Sequence, residues 1–196
     1  MMRKQSGFSL VELVIVIIVV GLLAATALPR FLQVTDEAKK ASIEGVAGGF
    51  ATSVLSARAQ WEAYGRPSNA SGQNLVNYDG TDFWLTKATD DGTVRDGYPY
   101  ALTDGALNLN VVSETDCLSL LDNLLQNPPL ATTDKTGAAS GNYLFYVKAE
   151  GNGSEKLCRY YQLASAGKDG SGSVNVEAGH SFTYKPALGR VEVYLK

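Results

Sequence analysis

The single histidine is the first candidate for catalytic chemistry. His180 lies beside Ser181, and a nucleophilic serine needs a histidine base that an acidic residue orients. The sequence offers no wider pattern around this pair, and a histidine at the start of a surface strand is the simpler interpretation. The glycine-rich stretch 167–173 lacks the GKS or GKT ending of a phosphate loop. We therefore predict that the protein is not an enzyme.

Metal ligands are equally sparse. Asp169, Asn175 and Glu177 carry oxygen atoms that calcium could use, but they lack the spacing of a calcium loop, which favours a flexible turn. Two cysteines and one histidine do not give the ligand spacing of a zinc site. The sequence predicts no metal and no cofactor, and it leaves calcium binding in the C-terminal loops open.

The two cysteines are suited to a disulfide. If the chain leaves the cytoplasm, Cys117 and Cys158 are expected to pair, because they are the only thiols in the sequence. A bridge across this separation would stabilise the fold by about 4 kcal/mol in the chain-entropy model.

A glutamate inside an apolar segment is the most informative feature of the chain. Residues 7–31 read GFSLVELVIVIIVVGLLAATALPRF, and Glu12 is the only acidic residue among them. A charge in the hydrocarbon core of a bilayer costs about 2.5–3.5 kcal/mol even on insertion scales. Glu12 therefore calls for a partner or a function.

The segment around Glu12 has the dimensions of a membrane span. Residues 8–28 would form a helix about 31 Å long, which matches the hydrocarbon thickness of a bilayer. Arg3 and Lys4 precede it, so the positive-inside rule places the amino end in the cytoplasm and the remainder outside. Residues 24–27 imitate a signal-peptidase site, but the apolar run is too long for a secretory signal and the helical pattern continues past Pro29.

The string GFSLVE at residues 7–12 follows a short basic leader and opens this apolar helix. It resembles the cleavage and methylation motif of type IV prepilins. The resemblance implies that residues 1–7 are a leader peptide, that prepilin peptidase cuts between Gly7 and Phe8, and that the new amino group of Phe8 is N-methylated. It also implies that residues 8–28 leave the bilayer to form the core of a filament.

The same resemblance gives Glu12 a partner. In a pilin filament, Glu12 would pair with the amine of Phe8 from a neighbouring subunit, so that each buried charge is compensated. The alternative is that Glu12 only reaches to the membrane interface near the end of the helix. Gly21 and Pro29 match the glycine and proline at which the helix of assembled pilins is expected to unwind or kink.

Residues 29–66 are predicted to be the amphipathic half of the same helix. Their charges cancel, as on a solvated helix face. Arg66-Pro67 should end the helix, because the residue before a proline is disfavoured in the helical region. Apolar residues recur at threes and fours and predict a stripe that packs on a domain, namely Ile43, Ala47, Phe50, Val54, Ala57, Trp61 and Tyr64.

Residues 67–196 are predicted to be the globular domain, in which residues 67–142 form a connecting loop region. Aspartate–glycine turn signals dominate its first part, with only short candidates for regular structure such as residues 83–85. A short helix follows, capped by Ser113 or Thr115 and stopped by Pro128-Pro129. Its predicted buried face consists of Leu118, Leu121, Leu124 and Leu125.

Residues 143–196 are predicted to form an antiparallel sheet from strands at 143–149, 156–164, 181–185 and 190–195. In the last strand Val191, Val193 and Leu195 alternate with polar or amphipathic residues, which predicts one buried and one wet face. A long helix packed on such a sheet is an α+β architecture. This agrees with the type IV pilin fold that the resemblance implies.

Two details are similar to one group within that family. The cysteine helix ends in Asn127-Pro128-Pro129, and Tyr160-Tyr161 follow closely on Cys158, as in mannose-sensitive haemagglutinin (MSHA) pilins. Pilin-like proteins use such a disulfide to hold a C-terminal loop region, here residues 128–142 and the first strand of the sheet.

The function implied by the resemblance is a structural subunit, major or minor, of a bacterial type IV pilus of the MSHA type that serves surface attachment. It would lie in the inner membrane as a single-pass protein and then in a fimbrium on the cell surface. Its partners would be other pilins, prepilin peptidase and the inner-membrane assembly platform. Nucleic acid is not expected as a partner, because the net charge is −3.

Two alternatives remain from the sequence. The first is a pseudopilin of a type II secretion system, which shares the leader. The second is a membrane-anchored module that binds a surface or a glycan. In that module the aromatic residues of the loop region would face a ligand, namely Tyr78, Phe83, Trp84, Tyr98 and Tyr100.

Overall fold

The structure, a computed structural model, describes residues 7–196. Arg3, Lys4 and the rest of the predicted leader up to residue 6 lie outside the described residues. The chain divides into two units, Met1–Lys39 and Lys40–Lys196. The first long element, helix α1 (Leu10–Ala63), includes residues of both units.

The first unit contains the apolar part of α1. Its large side chains are exposed, as in Leu10 at 78% and Leu22 at 66% of their free area. Among the described residues, α1 is the one helix that is long and apolar enough to cross a membrane by length and composition. An apolar helix surface that the chain itself does not cover needs lipid or another protein around it.

In the second unit, α1 presents the predicted apolar stripe to the core. Phe50 is at its centre, with ring centroids 5.2 Å from Tyr184, 5.6 Å from Tyr160 and 5.8 Å from Phe182. The prediction is confirmed for the six stripe residues that are buried, which are Ile43, Ala47, Phe50, Val54, Ala57 and Trp61.

The end of α1 explains why the seventh stripe residue, Tyr64, was predicted wrongly. The helix ends at Ala63, and Tyr64 is 67% exposed. Gly65 and Arg66 then adopt positive φ values of 79° and 60°. Arg66 N donates a hydrogen bond to the Trp61 carbonyl at 2.9 Å, so a left-handed turn closes the helix shortly before Pro67.

The predicted loop region begins with a sheet that the sequence reading missed. Strands β1 (Leu75–Tyr78), β2 (Thr81–Leu85) and β3 (Pro99–Leu102) form a three-stranded antiparallel sheet in the order β1-β2-β3. Asp79 and Gly80 form the two-residue turn between β1 and β2, both with positive φ. An aspartate–glycine pair between two strands is a hairpin signal, since this turn requires left-handed backbone at both positions.

Helix α2 (Glu114–Leu124) is the predicted cysteine helix, and Ser113 is its cap. The Asp116 carboxylate accepts the backbone N–H of Ser113, and the Ser113 hydroxyl accepts the N–H of Asp116, which together form a capping box. The predicted buried face was partly wrong. Leu121 and Leu124 are buried as expected, but Leu118 and Leu125 are only partly buried. Their places in the core are taken by Cys117 and Leu120.

The C-terminal part of the chain forms a second sheet of five strands in the order β10-β9-β6-β5-β4. The predicted antiparallel arrangement holds for its last four strands in the chain, and β4 adds a parallel edge next to β5. Its strands are β4 (Ala131–Thr132), β5 (Phe145–Glu150), β6 (Leu157–Gln162), β9 (Ser181–Lys185) and β10 (Arg190–Tyr194).

Short elements complete the chain. They are the 3₁₀ turns Leu109–Val111, Gly153–Glu155 and Leu163–Ser165, helix α3 (Lys135–Ala139), and the hairpin of β7 (Gly167–Lys168) with β8 (Val174–Asn175). The predicted α+β architecture is confirmed, with a long helix on antiparallel-rich sheets.

Strand β10 contradicts the prediction of a buried apolar face. Val193 is 38% and Leu195 44% exposed, and only Val191 packs against the core. β10 is an edge strand that pairs with β9 alone, so fewer neighbours cover its faces. Alternating apolar and polar residues in a strand therefore indicate which side chains share a face. They do not indicate whether another element of the fold covers that face.

Asp116 connects α2 to the chain that precedes it. Its carboxylate accepts hydrogen bonds from Ser113 N at 2.8 Å, from Ser113 Oγ at 2.6 Å and from Ala106 N at 2.9 Å. We expect Asp116→Ala to lower the free energy of unfolding by about 2–3 kcal/mol, because two amide donors lose their acceptor. Urea unfolding followed by the fluorescence of Trp61 and Trp84 measures the change. Thr115→Ala, at an exposed position of the same turn, is the matched control, and equal losses in both variants would refute the role of Asp116.

Glu177 joins three parts of the domain. Its carboxylate oxygens lie 3.0 Å from Lys135 Nζ on α3 and 3.0 Å from Lys148 Nζ on β5. Lys196 Nζ donates to the backbone carbonyl of Glu177 at 3.2 Å. Hydrogen bonds from Lys148 and Lys135 lower the pKa of Glu177 below its ordinary value of 4.5.

This lowered pKa predicts an acid-dependent stability. Because the unfolded chain binds the Glu177 proton at higher pH than the folded chain does, the stabilisation is complete well above pH 4.5 and is lost as the pH falls from 4.5 through the folded-state pKa. Glu177→Gln should therefore be less stable than wild type at neutral pH, and the two proteins should converge as the pH falls below 4.5. Urea titrations across this range measure the convergence. A constant difference, or strict additivity with Lys148→Met, would contradict the prediction.

Candidate functional site

The side chains of Ser9 and Glu12 cap the start of α1 in a variant of the capping box. Ser9 precedes the helix, and its hydroxyl oxygen accepts a hydrogen bond from Val11 N at 3.3 Å. Glu12, in the first turn, accepts the N–H of Ser9 on Oε2 at 2.9 Å. These bonds satisfy amide groups that the beginning of a helix otherwise leaves unpaired. The sequence reading missed this local partner of Glu12, although the Ser-x-x-Glu spacing signals it.

The predicted processing residues lie directly before this capping box. Gly7 and Phe8 are in non-helical backbone, and Phe8 is 83% exposed. The Glu12 carboxylate is held at the N–H of Ser9, one residue from Phe8, at the positive end of the helix dipole. The arrangement concentrates a negative charge next to the peptide bond at which a new amino terminus is predicted.

Gly21 and Pro29, the predicted positions of unwinding or kinking, lie inside the continuous helix α1. Pro29 has no N–H, so the carbonyl of Ala25 receives no helical hydrogen bond from it. A Cβ added to Gly21 would meet no atom within 4 Å, so the fold of the chain itself does not require glycine there. Both positions lower the cost of opening the helix without breaking it in this structure.

The structure joins Cys117 of α2 and Cys158 of β6 in a disulfide, with the Cα atoms 5.4 Å apart. The hydroxyl of Tyr160 donates a hydrogen bond to the Cys117 carbonyl at 2.8 Å. Burial raises the pKa of Tyr160 well above its ordinary range, so the phenol remains a neutral donor. The closed loop includes the predicted residues 128–142 and the strand β5, so the bridge anchors this segment to the core.

The residues considered for catalysis or metal binding have structural partners instead. His180 is buried, and its Nδ1 accepts a hydrogen bond from Lys196 N at 3.0 Å. Asp169 accepts hydrogen bonds from Ser171 N and Ser173 N and so shapes the turn of the β7–β8 hairpin. Glu177 is held by two lysines. Within residues 7–196 no three of His, Cys, Asp and Glu are grouped as metal ligands.

The aromatic residues of the loop region do not form the surface that the ligand-binding alternative assumed. Phe83, Tyr98 and Tyr100 are buried, and Tyr78 and Trp84 pack against the core from partly buried positions. Tyr78, Phe83, Trp84 and Tyr100 lie in strands β1 to β3, and they pack the three-stranded sheet against the core.

Comparison with known proteins finds a family match at the N-terminal end of the chain. Residues 2–28 match the family described as the prokaryotic N-terminal methylation motif. The chain thus carries a pilin-type methylation motif. The match covers the apolar part of α1 with its capping box, and it does not extend to the globular residues that follow.

Three curated relatives match part of the chain. The major component of the type IV narrow pilus of Thermus thermophilus is 46% identical over 44 residues, 22% of this chain and 38% of the relative. A fimbrial protein of Moraxella nonliquefaciens is 34% identical over 77 residues, 38% and 50% of the two chains. Type II secretion system core protein G of Pseudomonas aeruginosa is 40% identical over 43 residues, 22% and 30%.

The chain spans at most half of the length of these curated relatives. No solved structure shows a significant similarity to it. Part of the chain is therefore similar to pilus and secretion-system proteins, and the family match itself is confined to the methylation motif and the apolar part of α1.

Proposed function

We propose that the protein is a structural subunit of a bacterial type IV pilus. The observation that carries the proposal is the methylation motif at the start of a helix whose apolar surface the chain leaves uncovered. Such a helix is stable in a bilayer before assembly and in the core of a filament afterwards, since both environments remove its surface from water.

Processing is the first step of the proposed function. Prepilin peptidase cuts between Gly7 and Phe8, and the new amino group of Phe8 is then N-methylated. The exposed, non-helical backbone at these residues supports this step, because a protease needs an extended segment that is free of helical hydrogen bonds. The capped helix that follows is left intact.

Assembly is the second step. The Glu12 carboxylate pairs with the Phe8 amine of a neighbouring subunit in the filament, which compensates two charges that are both shielded from water. A lone carboxylate in hydrocarbon is unfavourable, so the pairing favours transfer from the membrane to the filament. Gly21 and Pro29 then allow α1 to open locally during packing.

The globular unit forms the outer surface of the fibre in this proposal. The Cys117–Cys158 bridge, the Glu177 ion pairs and the Asp116 contacts stabilise it outside the cell. Its partners are other copies of the chain, other pilins and the inner-membrane assembly platform. The protein is a single-pass inner-membrane protein before assembly and a surface protein afterwards.

The finer proposal is a pilus of the MSHA type with a role in surface attachment. It is supported by the sequence around the disulfide, where Asn127-Pro128-Pro129 follow α2 and Tyr160-Tyr161 follow Cys158. Electron microscopy with antibody labelling of sheared surface fibres tests the function. Labelled fibres that disappear when the gene is deleted support a pilus subunit, and label confined to the inner membrane contradicts a major subunit.

The second candidate is a pseudopilin of a type II secretion system. The similarity to the secretion core protein of Pseudomonas aeruginosa favours it. The two functions make opposite predictions for a deletion strain, which would lose surface fibres in one case and secreted enzymes in the other.

A further inference from the structure

A depression of mixed polar and apolar lining lies beside the three-stranded sheet, in the unit Lys40–Lys196. Its volume is about 360 Å³, and its walls come from the β2–β3 connection and the 3₁₀ turn Leu109–Val111. This volume is at the lower end of the range for small-molecule sites. We call it the β2–β3 depression; the lining side chains used below are Gln73, Lys87, Thr89, Thr93, Tyr100 and Asn110.

The floor of the depression is fixed. Tyr100 is 1% exposed, and its hydroxyl donates to the Leu107 carbonyl at 3.1 Å. Burial and the nearby Asp116 charge raise the pKa of Tyr100 to about 12, so this hydroxyl stays neutral. A rigid floor avoids the entropy cost of ordering a site when a ligand binds.

The outer wall is a loop that its own hydrogen bonds hold in place. Asp91 Oδ1 accepts hydrogen bonds from Thr89 Oγ1 at 2.6 Å and Thr93 Oγ1 at 2.8 Å. Asp96 Oδ1 accepts the N–H of Ala88 at 2.7 Å. The Asp91 carboxylate therefore accepts hydrogen bonds from two threonine hydroxyls of the wall.

The lining combines apolar side chains, neutral hydrogen-bonding groups and one cation. Lys87 is the one charged side chain among the described lining residues. Its Nζ has a long contact of 3.4 Å to the Gly72 carbonyl and keeps donor capacity for a ligand. Gln73, which also lines the depression, donates through Nε2 to the Leu85 carbonyl at 2.8 Å, and its Oε1 is an acceptor.

From this lining we propose that the β2–β3 depression binds a monosaccharide or disaccharide that carries a carboxylate. The Asn110 amide supplies donors for sugar hydroxyls, and Gln73 Oε1 supplies an acceptor. Lys87 matches the carboxylate through a charge-assisted hydrogen bond. The inference extends the surface-attachment part of the proposed function, because it gives the outer domain a ligand class. It is tested on unassembled subunits, so its failure is distinguishable from a failure to form pili.

The test is a ligand-observed NMR titration of the full-length protein in detergent micelles. Galacturonate and glucuronate are the probes, galactose and glucose are the uncharged counterparts, and acetate is the simple anion. We expect saturable binding of at least one uronate, with about tenfold weaker binding of its uncharged counterpart and of acetate, as one charge-assisted hydrogen bond gives.

Two variants locate the site. Lys87→Met should weaken uronate binding about tenfold, whereas Lys168→Met, an exposed lysine of the β7–β8 hairpin, should leave it unchanged. Asn110→Ala should also weaken binding, and it spares the side chain of Asn108 that caps the 3₁₀ turn. An unchanged circular dichroism spectrum shows that each variant is folded. Absence of uronate binding, equal binding of acetate, or full binding by folded Lys87→Met would overturn the proposal.

Discussion

Glu12→Val is expected to remain in the inner membrane and to be nearly absent from surface fibres. Valine removes the charge, so insertion of α1 becomes easier by about 2.5–3.5 kcal/mol on insertion scales. The same change removes the partner of the Phe8 amine, which would then be buried in the filament without compensation. Quantitative immunoblots of sheared fibres and membranes, in a strain that expresses only the variant, measure both fractions.

The capping box makes a second variant necessary, since Glu12 also accepts the N–H of Ser9 at 2.9 Å. Glu12→Gln keeps a hydrogen-bond acceptor at the third helical position and loses only the charge. Ser9→Ala keeps the charge and loses the cap hydroxyl that accepts Val11 N. If charge pairing drives assembly, Glu12→Gln fails like Glu12→Val, and Ser9→Ala assembles. Normal incorporation of Glu12→Gln would contradict the pairing and leave capping as the role of Glu12.

Removal of the disulfide is expected to give the largest loss of stability in the globular unit. The double variant Cys117→Ala/Cys158→Ala frees a loop with a sequence separation of 41, and the chain-entropy model gives a loss of about 4 kcal/mol. A loss of this size is a large fraction of the stability of a domain. Urea unfolding of the full chain in detergent, followed by the fluorescence of Trp61 and Trp84, measures it.

Wild-type protein treated with a reductant is the control for this variant. It should unfold at nearly the same urea concentration as the double variant, because reduction removes the same covalent link. A reduced wild type that unfolds like the oxidised protein would show that the bridge adds nothing to the folded state. Cys117 and Cys158 are both fully buried, so reduction requires that the domain first opens.

The sequence was sufficient for elements whose signal is periodic and long. The stripe from Ile43 to Trp61 repeats at helical spacing over five turns, and all six of its members that lie within α1 are buried. The apolar run after Phe8 was equally clear, because its length matches a bilayer. In both cases one physical cause, burial of an apolar surface, acts on many residues at once.

Prediction failed where a few residues decide the structure. The three-stranded sheet depends on the Asp79-Gly80 turn, but several aspartate–glycine pairs follow in the same region and only this one is the centre of a hairpin. Val193 and Leu195 follow a strand pattern, but the position of β10 at the sheet edge is a property of the whole topology. The choice of Leu120 over Leu118 for the core depends on the rotation of α2, which the disulfide and the Asp116 cap fix.

Some features of the candidate site could be predicted from the sequence and others could not. The methylation motif is local, so the residues from Gly7 to Glu12 could be found from the sequence. The contact of Glu12 with Ser9 follows from the Ser-x-x-Glu spacing, which is also a local signal. The β2–β3 depression could not be predicted, because its lining comes from segments as far apart as Gln73 and Ser154.

The most direct test of the account is the intact mass of the protein from native envelopes, measured with and without reduction. We predict a chain that begins at N-methylated Phe8 and gains two hydrogen atoms when Cys117 and Cys158 are reduced. A chain that still begins at Met1, or one that begins after a cut near Ala27, would contradict the account and indicate an ordinary anchored or secreted domain.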